Sequence, residues 1–180
     1  MKGCMAIDRQ KTETVHWHAV FTASRAEKKV RDRLEELGVE CFLPVQTVLR
    51  QWTYRKSRVV VPVIAGLVFV RVGRQEQVKV LQTKGVVAFL RLKGEVGAAV
   101  IPNKQMEDFR FLLDFSEEAV EMTNENIKAG DLVRVVKGSL RGMEGELIRH
   151  KGVTKVLVRI DMLGCAMVNI PASFVEKLNK

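Results

Sequence analysis

KGSLRGMEGEL, residues 137–147, sets glycines at 138, 142 and 145 in a G-x3-G-x2-G pattern. Such a run either cradles a phosphate or turns one strand into the next. A phosphate loop needs Lys-Ser or Lys-Thr after its last glycine, then a helix whose N-terminus faces the anion. Here ELIRH (146–150) follows, and it has a strand's composition. A dinucleotide fold fails for the same reason, because no βαβ unit surrounds the glycines. The neighbouring segments carry the turn reading outward. DLVRVV (131–136), GELIRH (145–150), KVLVRI (155–160) and AMVNIP (166–171) are strand-like and punctuated by glycine, and SFVEKL (173–178) closes the series. Short strands roughly ten residues apart predict a small all-β barrel.

Upstream, DFSEEAVEMTNEN (114–126) holds Asp114, Glu117, Glu118, Glu121 and Glu125 and no Lys or Arg. It parts two basic units and marks a boundary between them. The whole chain has 180 residues, a net charge of +9 and a pI near 9.7. That balance points to a polyanion, nucleic acid first. With 47% hydrophobic and 28% charged residues, the chain has the composition of a folded protein.

In the first unit, residues 1–14 are a polar tail and VHWHAVFTA (15–23) is a strand. Ser24 and Glu27 have capping-box spacing, and Ala26, Val30, Leu34 and Leu37 form one apolar stripe that Gly38 ends. Arg25, Lys28, Lys29, Arg31 and Arg33 crowd the start of this helix. VECFLPV (39–45) is a strand. TVLRQWTYRKSRVVVPV (47–63) is a hairpin in which Arg50, Arg55, Lys56 and Arg58 alternate with Trp52 and Tyr54. Basic residues interleaved with aromatics suit stacking on unpaired bases, and equally suit a charged tip that discourages aggregation. GLVFVRV (66–72) and VVAFLRL (86–92) are strands. Between them RQEQVKVLQT (74–83) is a short helix carrying Val78 and Leu81. Pro102 and Asn103 open a last helix with Met106, Phe109, Leu112 and Leu113 on its apolar side. The predicted order is β-α-β-β-β-α-β-α, an α+β unit with an antiparallel sheet and flanking helices. VVVPVIAGLVFV (59–70), broken by Pro62 and Gly66, is too short for a membrane span and is read as two buried strands around a bend.

No catalytic constellation stands out, so a non-enzymatic binder is expected. Cys4, Cys41 and Cys165 are scattered and odd in number, which fits a reducing cytoplasm rather than a disulfide framework. His16 and His18 lie on one strand face without a third ligand, and no metal or cofactor is expected.

GDLVRVVKGSLRGMEGELIRHKGVTKVLVRI (130–160) resembles a KOW motif. WHAVFTASRAEKKVRDRLEELGVECFLPV (17–45), VPVIAGLVFVRV (61–72) and KGVVAFLRLKGE…VIPNKQM (84–106) resemble, in order, the NGN domain of the NusG family. Within the family the chain looks most like the specialised RfaH and UpxY antiterminators. The resemblance implies an NGN domain over 15–113, an acidic linker over 114–127 and a KOW domain over 128–180. It implies a monomeric, cytoplasmic elongation and antitermination factor that suppresses pausing or termination. The clamp helices of RNA polymerase would meet Phe21, Ile64, Leu67, Phe69, Leu92, Met106 and Phe109, where the family's usual Phe-Pro-Gly-Tyr stands as Ile-Ala-Gly-Leu at 64–67. The non-template DNA strand would meet Arg25, Lys28, Lys29, Arg33 and Lys84. Leu140 and Met143, at an exposed turn, would meet a small-subunit ribosomal protein (NusE) or Rho. The alternative is a ribosome-associated or RNA-binding KOW protein, which would lack the NGN-like block.

Overall fold

The computed structural model describes residues 14–52, 55–125, 127–128 and 130–178, without the side chains at 52 and 55. Residues 1–13 of the expected tail and Tyr54 of the hairpin therefore lie outside the described residues.

The N-terminal half builds on a four-stranded antiparallel sheet. Its strands are β1 (His16–Thr22), β2 (Glu40–Phe42), β5 (Leu67–Val72) and β6 (Val86–Phe89), in the order β2-β5-β1-β6. Alternation along β1 sorts side chains to two faces. Val20 packs with Val68, Val70 and Val72 and with Val30 and Leu34 of helix α1 (Glu27–Glu36). Trp17 and Ala19 pack on the other face with Leu67, Phe69 and the buried side of helix α3 (Asn103–Phe115), namely Met106, Phe109 and Leu112. Helix α2 (Glu76–Gln82) lies against β6.

The hairpin strands β3 (Val45–Trp52) and β4 (Arg55–Pro62) form a separate two-stranded ribbon. Four strands thus stand between α1 and α2 where the sequence order allotted three, because the hairpin at 47–63 supplies two of them, β3 and β4. The ribbon also corrects the expectation of a buried strand at 59–62. Val60 is 46% exposed, since no second layer covers β4.

Two local details differ from expectation. The Ser24 capping box does not form, and Ala26 is the N-cap. Glu27 is instead buried, and its Oε1 accepts the Gly66 N–H at 2.8 Å, fixing the bend between β4 and β5 to the start of α1. In α2 the buried residue is Val80, while Val78 and Leu81 face solvent. A helix of about two turns resting on the sheet edge has room to bury a single side chain. The α1 stop is as expected: Gly38 at φ 75 lets Val39 N–H reach Leu34 O and Gly38 N–H reach Glu35 O, a Schellman closure.

The C-terminal half is a six-stranded antiparallel sheet, in the order β12-β8-β9-β10-β11-β7. Five strands follow the sequence reading: β8 (Asp131–Val135), β9 (Glu144–His150), β10 (Val153–Ile160), β11 (Gly164–Asn169) and β12 (Val175–Lys177). The sixth, β7 (Glu121–Thr123), arises inside the stretch expected to be linker and pairs with β11. Among the described residues no helix is long and apolar enough to cross a membrane.

Arg159 ties this sheet internally. Its Nε and Nη2 donate to the two Glu146 oxygens at 2.6 and 2.9 Å, and Nη2 also donates to Ile127 O at 3.1 Å. The guanidinium holds the Glu146 carboxyl below its ordinary 4.5, helped by the Gly130 N–H. A carboxyl depressed on folding adds stability above its unfolded pKa and loses it as pH falls through the folded one. Glu146→Gln should therefore cost about 1–2 kcal/mol at neutral pH. In thermal melts the gap to the unsubstituted chain should close as pH falls below about 4. A gap that stays constant with pH would show that the ion pair is not its source.

Candidate functional site

Two surfaces gather the residues singled out by sequence. The first is apolar and begins at the end of β1. Phe21 continues the Trp17–Ala19 face but is 42% exposed. Beside it, Thr22 N–H donates to Gly66 O at 2.8 Å. That bond and the Glu27 anchor hold the 63–66 bend against β1, so Ile64 and Leu67 come next to Phe21. These three and Leu90 line one side of a cavity of about 400 Å³. Its other side is Met122, Met162 and Leu163 from the C-terminal sheet.

The two halves are packed together at this place. Gln105 Oε1 on α3 accepts the Asp161 N–H at 2.9 Å, and Gln46 Oε1 on β3 accepts the Val120 N–H at 2.9 Å. One continuous hydrophobic cluster runs from Phe69, Met106 and Phe109 to Val133, Val156 and Val158. Sequence inspection missed Met162, Leu163, Gln105 and Gln46. No local pattern marks them, because each matters only through a contact distant in sequence.

The seven residues expected at the clamp surface divide. Phe21 and Leu92 are each 42% exposed, and Ile64 is partly buried. Leu67, Phe69, Met106 and Phe109 are buried. Phe42, Phe69 and Phe109 form a trio with ring centroids 6.0–6.3 Å apart. Phe69 and Phe109 are therefore core in this arrangement, and a charge at either would test folding rather than docking.

Leu140 and Met143 are not exposed, contrary to expectation; they are 6% and 4% accessible. Gly142 N–H donates to Val135 O and Val135 N–H to Met143 O, both at 2.8 Å, which curls the glycine loop back onto β8. Both side chains thus turn inward to the core. The glycines do make a turn into a strand, with Gly142 at φ 93 and β9 following.

The second surface is basic. Lys28 and Lys29 are exposed on α1, and Arg25 precedes them at φ 58. Arg31 is engaged with Asp32 and Glu35. Arg33 Nη1 donates to Lys84 O at 2.6 Å. Lys29 stands one turn before Arg33 on the same helix face, and Arg33 reaches the backbone of Lys84. Arg33 also has a structural task, because it pins the Lys84–Gly85 turn to α1. The ribbon adds Arg50, Lys56 and Arg58, all exposed, and residues 45–62 contain no carboxylate.

His18 is buried, with Nδ1 2.7 Å from Ala99 O and Nε2 3.4 Å from the Gln77 amide nitrogen. Burial pushes its pKa down and favours the neutral ring. Among the described residues no group of three or more His, Cys, Asp or Glu could hold a metal ion.

A family model described as transcription termination factor NusG matches residues 15–110, over half of the chain. The chain belongs to the NusG family. Among solved structures, "Domain interaction in Thermotoga maritima NusG" is similar at 22% identity and a TM-score of 0.50, covering 92% of this chain and 98% of that one. That likeness concerns the fold. Two crystal structures of an MjSpt4:Spt5 complex, conformations B and A, have TM-scores of 0.29 and 0.27, each at 18% identity. Each covers 91% of this chain, and 97% and 99% of their own chains are spanned. No curated protein matches the sequence. The NusG-matched segment contains every residue of both surfaces on the N-terminal half, whereas Leu140 and Met143 fall outside it.

Proposed function

We propose that this NusG-family chain is an elongation and antitermination factor of the specialised RfaH and UpxY kind. Its NGN domain, 15–113, binds the clamp helices of RNA polymerase. The acidic linker leads to a KOW barrel over 128–180, built from β8 to β12 of the C-terminal sheet. The observation that carries the reading is the apolar surface of Phe21, Ile64 and Leu67, which is continuous with the core yet left for a second body to cover. In this arrangement the covering body is the C-terminal sheet, through Met162 and Leu163. Polymerase binding then requires the two halves to part. The factor acts without chemistry, stabilising a productive clamp state by binding it better than the alternative.

The basic surface of Arg25, Lys28, Lys29, Arg33 and Lys84 faces the exposed non-template strand in this reading. Contacts of lysine with phosphate are salt-sensitive and indifferent to sequence. Lys28 and Lys29 give the cleaner test, because Arg33 also holds the Lys84 turn. Reversal of both to Glu should weaken binding to bubble DNA by ten-fold or more at low salt, in fluorescence anisotropy. It should also flatten the dependence of affinity on salt. Unchanged affinity would leave this helix face merely solvated. The polymerase contact is tested by capturing core polymerase on the tagged chain from cells of its source. A washed complex without polymerase, from a chain already opened at Met162 and Leu163, would sink the reading.

A further inference from the structure

We infer that β7 is a releasable strap that sets how far the two halves can separate. The inference rests on the proposed polymerase surface for its consequence, since separation is what would uncover that surface. The strap itself is a matter of chain geometry.

Helix α3 ends at Phe115 and β7 begins at Glu121. Between them the segment is fastened on both sides. Val120 is 4% exposed and its N–H is held by Gln46 of the ribbon. Asn169 of β11 donates to Glu118 at 2.7 Å. Glu121, Met122 and Thr123 then pair with Met167, Ala166 and Cys165. The Glu121 carboxylate meets Lys155 Nζ at 2.6 Å, and Lys155 is 5% exposed. A buried ammonium that loses its carboxylate contact is costly, so Glu121 does more to hold the strap than three strand residues would alone.

With β7 zipped, the free chain from Phe115 to Glu121 reaches at most ~20 Å. When β7 peels, the next anchor is Ile127, whose carbonyl Arg159 grips. The free chain is then 116–126, with a reach of ~40 Å. Peeling β7 thus doubles the tether without unfolding β8 to β12. The sheet can slide or tilt over Phe21 and Ile64 with the strap in place, but it clears a partner as large as polymerase only after β7 lets go.

Met122 and Ala166 are direct cross-strand partners, a spacing that a disulfide spans. The test uses the full chain carrying Met122→Cys and Ala166→Cys, with Cys4, Cys41 and Cys165 changed to Ser. Met162→Asp and Leu163→Asp are added to loosen the packing between the halves. Small-angle X-ray scattering then compares the same chain oxidised and reduced. The reduced form should be longer in maximum dimension by roughly 20 Å, the gain in tether reach. A second chain, with Glu121→Lys in place of the cysteine pair, should match the reduced form. Equal dimensions in the oxidised and reduced forms, or a Glu121→Lys chain as short as the oxidised one, would overturn the strap. The measurement contains no polymerase, so its outcome is independent of what the uncovered surface binds.

Discussion

Gly145→Val should leave the C-terminal sheet unable to fold. Gly145 lies in β9, opposite Val133 of β8. A Cβ there would stand 2.7 Å from Val156 Cγ1 and 2.9 Å from Leu157 O. Neither neighbour can withdraw easily. Val156 and Leu157 are central in the sheet, paired to β9 on one side and β11 on the other, and both are buried. Even Gly145→Ala should cost about 2–3 kcal/mol by overpacking, and the two further methyls of Val should exceed what the sheet can absorb. Gly142 is the control. It has a positive φ but open space around it, so Gly142→Ala should cost only about 1–2 kcal/mol of backbone strain. Amide spectra would report the difference, with signals of 131–177 collapsing in Gly145→Val while those of 16–115 persist. A well-dispersed spectrum for Gly145→Val would mean that the strands are not packed as described.

The second large effect is expected at Met162 and Leu163. Changing both to Asp should raise affinity for RNA polymerase by ten-fold or more. The two side chains line the cavity opposite Phe21, Ile64 and Leu67. Met162 is 36% exposed and Leu163 is partly buried, so a carboxylate brought against the apolar wall costs about 1–3 kcal/mol in the packed state, mostly at Leu163, and little when the halves part. Each 1.4 kcal/mol shifts the closed-to-open ratio about ten-fold. Met162 already has φ 67, a conformation that Asp tolerates, so the turn after β10 keeps its shape. Titration of labelled core polymerase, read by anisotropy, measures the gain. Unchanged or weaker binding would mean that the sheet does not mask the polymerase surface.

Much of the fold was legible because it is locally encoded. The Val30–Leu34 stripe, the Gly38 stop and the glycine-punctuated strands after Asp131 each follow from short-range chemistry. Errors arose where a local signal was outbid by a distant partner. Glu27 has capping-box spacing, yet the Gly66 N–H claims its carboxylate. Met143 sits in a glycine loop and looks exposed, yet the loop folds back through Val135. Glu121–Thr123 is acidic and reads as linker, but the open edge of β11 recruits it as a strand.

The candidate site was legible in part for the same reason. Alternation along β1 and β5 identified the apolar face, but not which of its residues end at the surface. That depends on where the 63–66 bend stops covering Phe21. Charge density marked the start of α1, but it could not separate Lys28 and Lys29, which face solvent, from Arg31 and Arg33, which are engaged by Asp32 and by the Lys84 carbonyl.

The central claim is that the surface around Phe21 and Ile64 is where polymerase binds. Amide hydrogen exchange on the Met162→Asp, Leu163→Asp chain, with and without core polymerase, tests it most directly. Exchange should slow on complex formation at residues 20–22, 63–67 and 90–92, and remain unchanged across β8 to β12. Slowing confined to the C-terminal sheet, with residues 20–22 and 63–67 exchanging as in the free chain, would contradict it.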